Sequence, residues 1–206
     1  MKTCIFRGLA IAAVAAALAG CGSTVQREAQ WIDPTLGTQS RMLQGARVLV
    51  ACDAYDVALR RICEDQLARE VAAKGGDPVM VPPGTALLND RELDGQLVAS
   101  AAALGARAVF VMTLTPATAN WSPGVSLGIG GFSFGRGGGG GVGLSVPVGG
   151  GGGTTGFAAN GRVTDASSGR LVWASTVVAS PSSDLTGQVV MLSRSMLDAA
   201  QGAGLF

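Results

Sequence analysis

Apolar positions along the chain fall into short continuous runs that alternate with helical stripes, and this alternation defines the predicted elements. Val48-Leu49-Val50-Ala51 is a run of the kind a buried strand shows. Asp53 or Asp56 can cap a following helix with Leu59, Ile62, Cys63, Leu67 and Val71 on one side and Arg60, Arg61, Glu64, Arg69 and Glu70 mostly on the other. Gly75 and Gly76 close that helix, and Pro78 to Val81 reads as a second short strand. Asn89 with Glu92 resembles a capping box for a helix whose apolar face is Leu93, Leu97, Ala101 and Leu104, stopped by Gly105. Ala108 to Thr115 is apolar on both faces for most of its length, which predicts a central strand covered on both sides.

Further on, Phe157 to Thr164 and Arg170 to Ser180 flank the turn Asp165-Ala166-Ser167-Ser168-Gly169 and predict an antiparallel hairpin. Asp184 caps a last helix with Leu185, Val189, Leu192 and Met196 on one stripe. The order is βαβαβ, an insert, then ββα. Parallel strands need crossover helices and the hairpin is antiparallel, so the expected fold is α/β (α+β) with a mixed sheet, in a single domain over residues 41–206.

The insert, residues 123–156, is a separate problem because it holds 17 of the chain's 32 glycines. Val125, Leu127 and Ile129, then Phe132 and Phe134, then Val142, Leu144, Val146 and Val148 alternate with Gly or Ser. That pattern suits a loosely ordered surface loop, a hairpin packed on the domain or a partner, or strands of an oligomeric membrane barrel. Gly135, Gly137 and Gly140 formally match a dinucleotide fingerprint, but no strand-to-helix transition flanks them. The insert also has no lysine for a phosphate loop, so no nucleotide cofactor is implied.

The amino-terminal 20 residues read as a signal peptide: Lys2 and Arg7 form a basic start, and Gly8 to Gly20 an apolar run too short to span a bilayer. Leu18-Ala19-Gly20-Cys21 resembles the bacterial lipobox, which implies cleavage before Cys21 and attachment of acyl chains to it. Two or three chains, palmitate among them, anchor a protein stably because each buried methylene contributes about 0.8 kcal/mol. Gly22 in the position after the lipidated residue resembles the sorting signal for the outer membrane, with inner-membrane retention the alternative. Residues 21–40 are polar and broken by Pro34 and Gly37, and read as a lipidated tether whose Trp31, Ile32 and Leu36 dock on the domain or sit at the lipid interface.

Charge and composition narrow the chemistry. The whole chain has 15 basic and 14 acidic residues, and loss of Lys2 and Arg7 leaves the mature form close to neutral. Nucleic acid is not an expected partner. With no histidine in the chain, the usual general base and zinc ligand are missing, and no metal site or enzyme activity is expected. Asp53, Asp56, Glu64 and Asp65 with Arg60 and Arg61 are the densest charged cluster, and a helix start accounts for them through capping and i,i+4 pairing. Cys52 and Cys63 remain after lipidation of Cys21, either as a disulfide or as two buried thiols. A helix beginning near Ala54 opposes the bridge, since Cys63 would then lie roughly 13 Å along its axis, and a later start would relieve the conflict.

The stretch Gly161-Arg162-Val163-Thr164-Asp165, followed by Ser168-Gly169-Arg170-Leu171-Val172-Trp173, resembles the late hairpin of a family of uncharacterised Gram-negative lipoproteins that often carry a glycine-rich insert before it. The family often continues with Arg-Gly after Val-Trp, where this chain has Ala174 and Ser175. The element order is similar to that of periplasmic lipoprotein domains of the curli-secretion channel group. The lipobox, the polar tether and the missing catalytic residues predict a lipid-anchored, non-enzymatic envelope protein that meets the membrane through Cys21 and presents its domain to an unknown envelope protein; the alternative is a subunit of a homo-oligomeric outer-membrane assembly or channel that uses the glycine-rich hairpin from Val125 to Val148.

Overall fold

The computed structural model describes residues 25–37, 39–83, 85, 93–117 and 155–206. In chain order they form β1 (Val25–Ile32), β2 (Arg47–Asp53), α1 (Val57–Ala73), β3 (Asp77–Met80), α2 (Leu93–Ala103), β4 (Ala108–Ala117), β5 (Gly156–Asp165), β6 (Leu171–Ala179) and α3 (Leu185–Gly202). The strands build one mixed sheet in the order β1-β6-β5-β4-β2-β3, the α/β class expected from the alternation of elements. The signal peptide, Cys21, the Asn89 and Glu92 pair and residues 123–154 of the insert lie outside the described residues.

Handedness explains where the helices go. Strand β2 lies between β3 and β4 and is parallel to both, so the crossovers β2-α1-β3 and β3-α2-β4 run in opposite directions along the sheet. Right-handed connections then require the two helices on opposite faces. Cys63, Leu67 and Val71 of α1 accordingly join Val48, Val50, Phe110 and Met112 in the larger core, whereas Leu97 and Ala101 of α2 join Leu49, Val109 and Val111 in the smaller one. Residues Ala108 to Met112 of β4 are buried on both faces, as their unbroken apolarity predicts.

Strands β5 and β6 form the predicted hairpin, and Gly169 closes its turn at φ +66°, a conformation that costs a side chain but not glycine. Helix α3 starts at Asp184, whose Oδ1 accepts a hydrogen bond from the Gly187 N–H at 2.8 Å. Its stripe of Val189, Leu192 and Met196 packs on the same sheet face as α1. Met196 rests directly over Gly161 of β5: a β-carbon there would run into the Met196 sulfur and come within 2.8 Å of its Cγ. Gly161→Ala is expected to destabilise by about 1–3 kcal/mol, the usual cost of overpacking a filled core, measured as a lower urea midpoint at unchanged m-value.

The segment read as a tether corrects the sequence analysis. Val25–Ile32 is a strand, paired antiparallel with β6 from Val25↔Ala179 to Ile32↔Trp173, with an irregularity between Arg27 and Ala29. Its side chains are exposed apart from the two ends, so it carries no apolar alternation that sequence periodicity could register. Backbone pairing holds it, reinforced by the Ser175 hydroxyl donating to the Ala29 carbonyl at 2.9 Å. Ile32 and Leu36 pack against the core, while Trp31 stays 38% exposed.

Candidate functional site

The sheet has two chemically different ends. One gathers the start of β1, the ends of β2 and β6, the β4–β5 junction at Ala117↔Gly156 and the amino termini of α1 and α3. The other gathers the β5–β6 turn, the starts of β2 and β4 and residues 33–37 and 39–46.

At the first end stands the charged cluster singled out in the sequence. Asp56 is the residue that caps α1, its Oδ1 accepting from the Leu59 N–H at 2.8 Å, and the Arg60 guanidinium donates to the Ala54 carbonyl at 3.3 Å. Burial pushes the Glu64 carboxyl above its ordinary range, against the opposing pull of Arg61, the Cys52 N–H and Arg60. Its surroundings are those of a helix flank. Because the folded state raises this pKa, ionisation of Glu64 works against folding, and its favourable contribution is present at low pH and lost as pH rises through the folded value. Glu64→Gln is therefore expected to raise the stability slightly at pH 7, by under about 1 kcal/mol and seen as a higher thermal midpoint, with the difference vanishing below about pH 4.

Cys52 at the end of β2 and Cys63 in α1 are bonded to each other, with their Cα atoms 6.0 Å apart. The distance expected from a helix starting near Ala54 is corrected by the actual start at Val57, which places Cys63 only about 9 Å along the axis, and by the turn that carries the chain back toward β2.

The other end holds a shallow cleft of about 270 Å³ lined by Asp33, Thr35, Arg107, Asp165, Ser168 and Arg170 among others. Asp33 and Arg170, 137 residues apart in sequence, form an ion pair at 2.7 Å that joins the end of β1 to the end of the hairpin turn. The Thr35 N–H and then its hydroxyl, both on Asp33 Oδ1, lower the Asp33 pKa and outweigh burial, and Arg170 adds to the effect. Partial burial pushes Asp165 upward, but donors on Ser167 and Ser168 overcome it and hold this carboxyl below its usual range too.

Both carboxylates are thereby kept ionised and occupied, which suits turn architecture and not proton transfer. For Asp33 the lowered folded pKa means a stabilising contribution present above the unfolded value and lost as pH falls through the folded one. Asp33→Asn is expected to lower the thermal midpoint at pH 7, with the gap to the parent closing as pH falls below about 4.

A third polar group lies on the α2 face of the sheet. Asp94 of α2, 5% exposed, accepts from the Thr164 hydroxyl at 2.8 Å and pairs with Arg162 at 3.2 Å, pinning α2 to β5. Neither this cluster nor the Asp33–Arg170 pair was singled out in the sequence, because each joins residues far apart along the chain. The local signals were slight: Asp33-Pro34-Thr35 has the composition of a turn, and Asp94 is an acid in the first turn of a predicted helix. Among the described residues no three His, Cys, Asp or Glu side chains gather closely enough to hold a metal ion. Among the same residues no helix is long and apolar enough to cross a membrane.

The structure thus defines a mixed α/β domain with helices on both faces of the sheet, an ion-paired cleft at one end and a disulfide at the other. Among solved structures it is similar to the PelC dodecamer from Paraburkholderia phytofirmans, at 15% identity and a TM-score of 0.50 over 90% of this chain and 99% of that one. A point variant of that PelC dodecamer, in a second crystal form, matches at 14% identity and the same TM-score over 90% of this chain and all of the other. The likeness is one of fold. No family model and no curated protein matches the chain.

Proposed function

We propose that this chain is a non-enzymatic, lipid-anchored subunit of a homo-oligomeric assembly of the cell envelope, held at the periplasmic face of the outer membrane through Cys21. The observation that carries the reading is a fold shared, over 90% of the chain, with a protein solved as a dodecamer, in a sequence whose lipobox stands just ahead of the first strand. Head-to-tail assembly requires each subunit to offer two different surfaces, one to each neighbour. The sheet offers two open edges facing opposite ways, β1 and β3, and Arg27 and Glu28 on one and Pro78 on the other guard against indiscriminate edge pairing. The committed carboxylates at the cleft and at the α1 cap support a binding role over a catalytic one.

Extraction of the mature protein from membranes in mild detergent, followed by light scattering, tests the assembly. A mass many times that of one subunit is expected, and a monomer overturns it. Repeating the measurement without residues 123–153 assigns the contacts: an oligomer that persists is built by the folded domain, one that is lost is built by the insert. Labelled fatty acid should enter the parent protein and fail to enter Cys21→Ser.

A further inference from the structure

We infer that the cleft beside the β5–β6 turn binds a zwitterionic amino-acid group, an ammonium and a carboxylate on one carbon, through Arg107 and Asp165. Two carboxylates, Asp33 and Asp165, and two guanidinium groups, Arg107 and Arg170, line it. Asp33 and Arg170 neutralise each other at 2.7 Å, and Asp33 is buried behind that pair, so neither is the group left for a ligand. Arg107 is exposed, and among the described residues its guanidinium has no hydrogen-bond or ion-pair partner. Asp165 commits only one oxygen to the turn: the donors of Ser167 and Ser168 all fall on Oδ1, and among the described residues none reaches Oδ2.

The ladder brings these two unused groups together. Ala108 pairs with Asp165, and the Ala166 N–H donates to the Arg107 carbonyl at 2.9 Å, so Arg107 stands beside the root of the turn. A guanidinium takes a carboxylate through two parallel N–H···O bonds, and a free carboxylate oxygen accepts from an ammonium. With two charges of each sign the lining is neutral overall, which favours a ligand carrying one of each over a simple anion or cation. A volume of about 270 Å³ falls below the roughly 300–1,000 Å³ of a drug-sized site, so a single end group enters, and Leu36 and Val172 offer its first methylene an apolar wall. Such a group occurs in free amino acids and, within a cell envelope, at the free end of the diamino acid of cell-wall peptides. The cleft geometry does not depend on the proposed lipid anchor; only the second source rests on the envelope location.

Equilibrium dialysis of the full-length protein in mild detergent against tritiated meso-diaminopimelate tests this. Retention of the label is expected. Arg107→Gln should weaken it by about ten-fold or more, the effect of losing a charge-assisted hydrogen bond, at an unchanged thermal midpoint because the guanidinium holds nothing in the fold. Pimelate keeps the carboxylates and lacks the ammonium groups, cadaverine keeps the ammonium groups and lacks the carboxylates, and neither should displace the label. Absence of retained ligand overturns the inference, as does undiminished binding by Arg107→Gln, or displacement by pimelate or cadaverine as readily as by unlabelled diaminopimelate. Cosedimentation with purified cell-wall sacculi then separates the sources. Sedimentation that free diaminopimelate reverses and Arg107→Gln lacks assigns the cell wall, and binding of the free compound alone assigns a soluble amino acid. Light scattering on the same preparation reports the assembly independently, so a monomer that binds leaves this inference standing while the oligomeric reading falls.

Discussion

Trp173→Ala lowers the stability of the domain by about 3–5 kcal/mol, the range for deleting a large aromatic from a closed core. Trp173 is fully buried on the face shared by α1 and α3, with its ring edge-on to Phe110 at a centroid distance of 5.9 Å and an interplanar angle of 85°. The substitution removes the indole, its edge-to-face contact and the packing of the helices over it, and leaves a cavity that Phe110 cannot fill by itself. At about 2–4 °C per kcal/mol for a domain of this size, thermal unfolding should begin some 10–15 °C earlier. The buried indole N–H has no hydrogen-bond partner, so Trp173→Phe keeps a ring, loses no hydrogen bond and should cost much less than the alanine. Similar losses for the two variants would show that the ring stack is not what holds the helices to β6.

The disulfide carries the second large effect. Cys52 and Cys63 are separated by 11 residues, and closing a loop of that order stabilises by roughly 2–3 kcal/mol through the unfolded chain. Replacing both by alanine should lower the thermal midpoint by about 5–10 °C. The decisive comparison adds reductant. Reduction should lower the midpoint of the parent toward that of the variant and leave the variant unmoved, because only the cross-link responds. A parent whose midpoint ignores reductant, with two thiols open to alkylation after denaturation, would mean that the cysteines are simply packed side by side.

The elements that were legible in the sequence are those whose burial is periodic. Strand β4 is apolar on both faces because two helices cover it, and α3 has a single stripe because it lies on one face of the sheet, so each wrote its position into its composition. Strand β1 obeys the opposite rule. An edge strand stabilised by its ladder with β6 needs no apolar side chains, and Gln26, Arg27, Glu28 and Gln30 read as a polar linker. Whether Cys52 and Cys63 could meet turned on the helix start, and the start at Val57, set by the Asp56 cap, is the later one that relieves the conflict. The cleft could not be foreseen at all, since Asp33 and Arg170 meet only after the β1–β6 ladder has formed.

The placement of β1 also decides how the domain carries mechanical load. With Cys21 anchored as proposed, a pull from the membrane would enter at Val25 and run along the strand axis, beside its antiparallel partner β6. The pairs from Val25↔Ala179 to Ile32↔Trp173 are then stressed together in shear, where a pull from the far end of the strand would peel them apart one at a time. A load applied along β1 at Val25 therefore meets the resistance of the whole ladder at once.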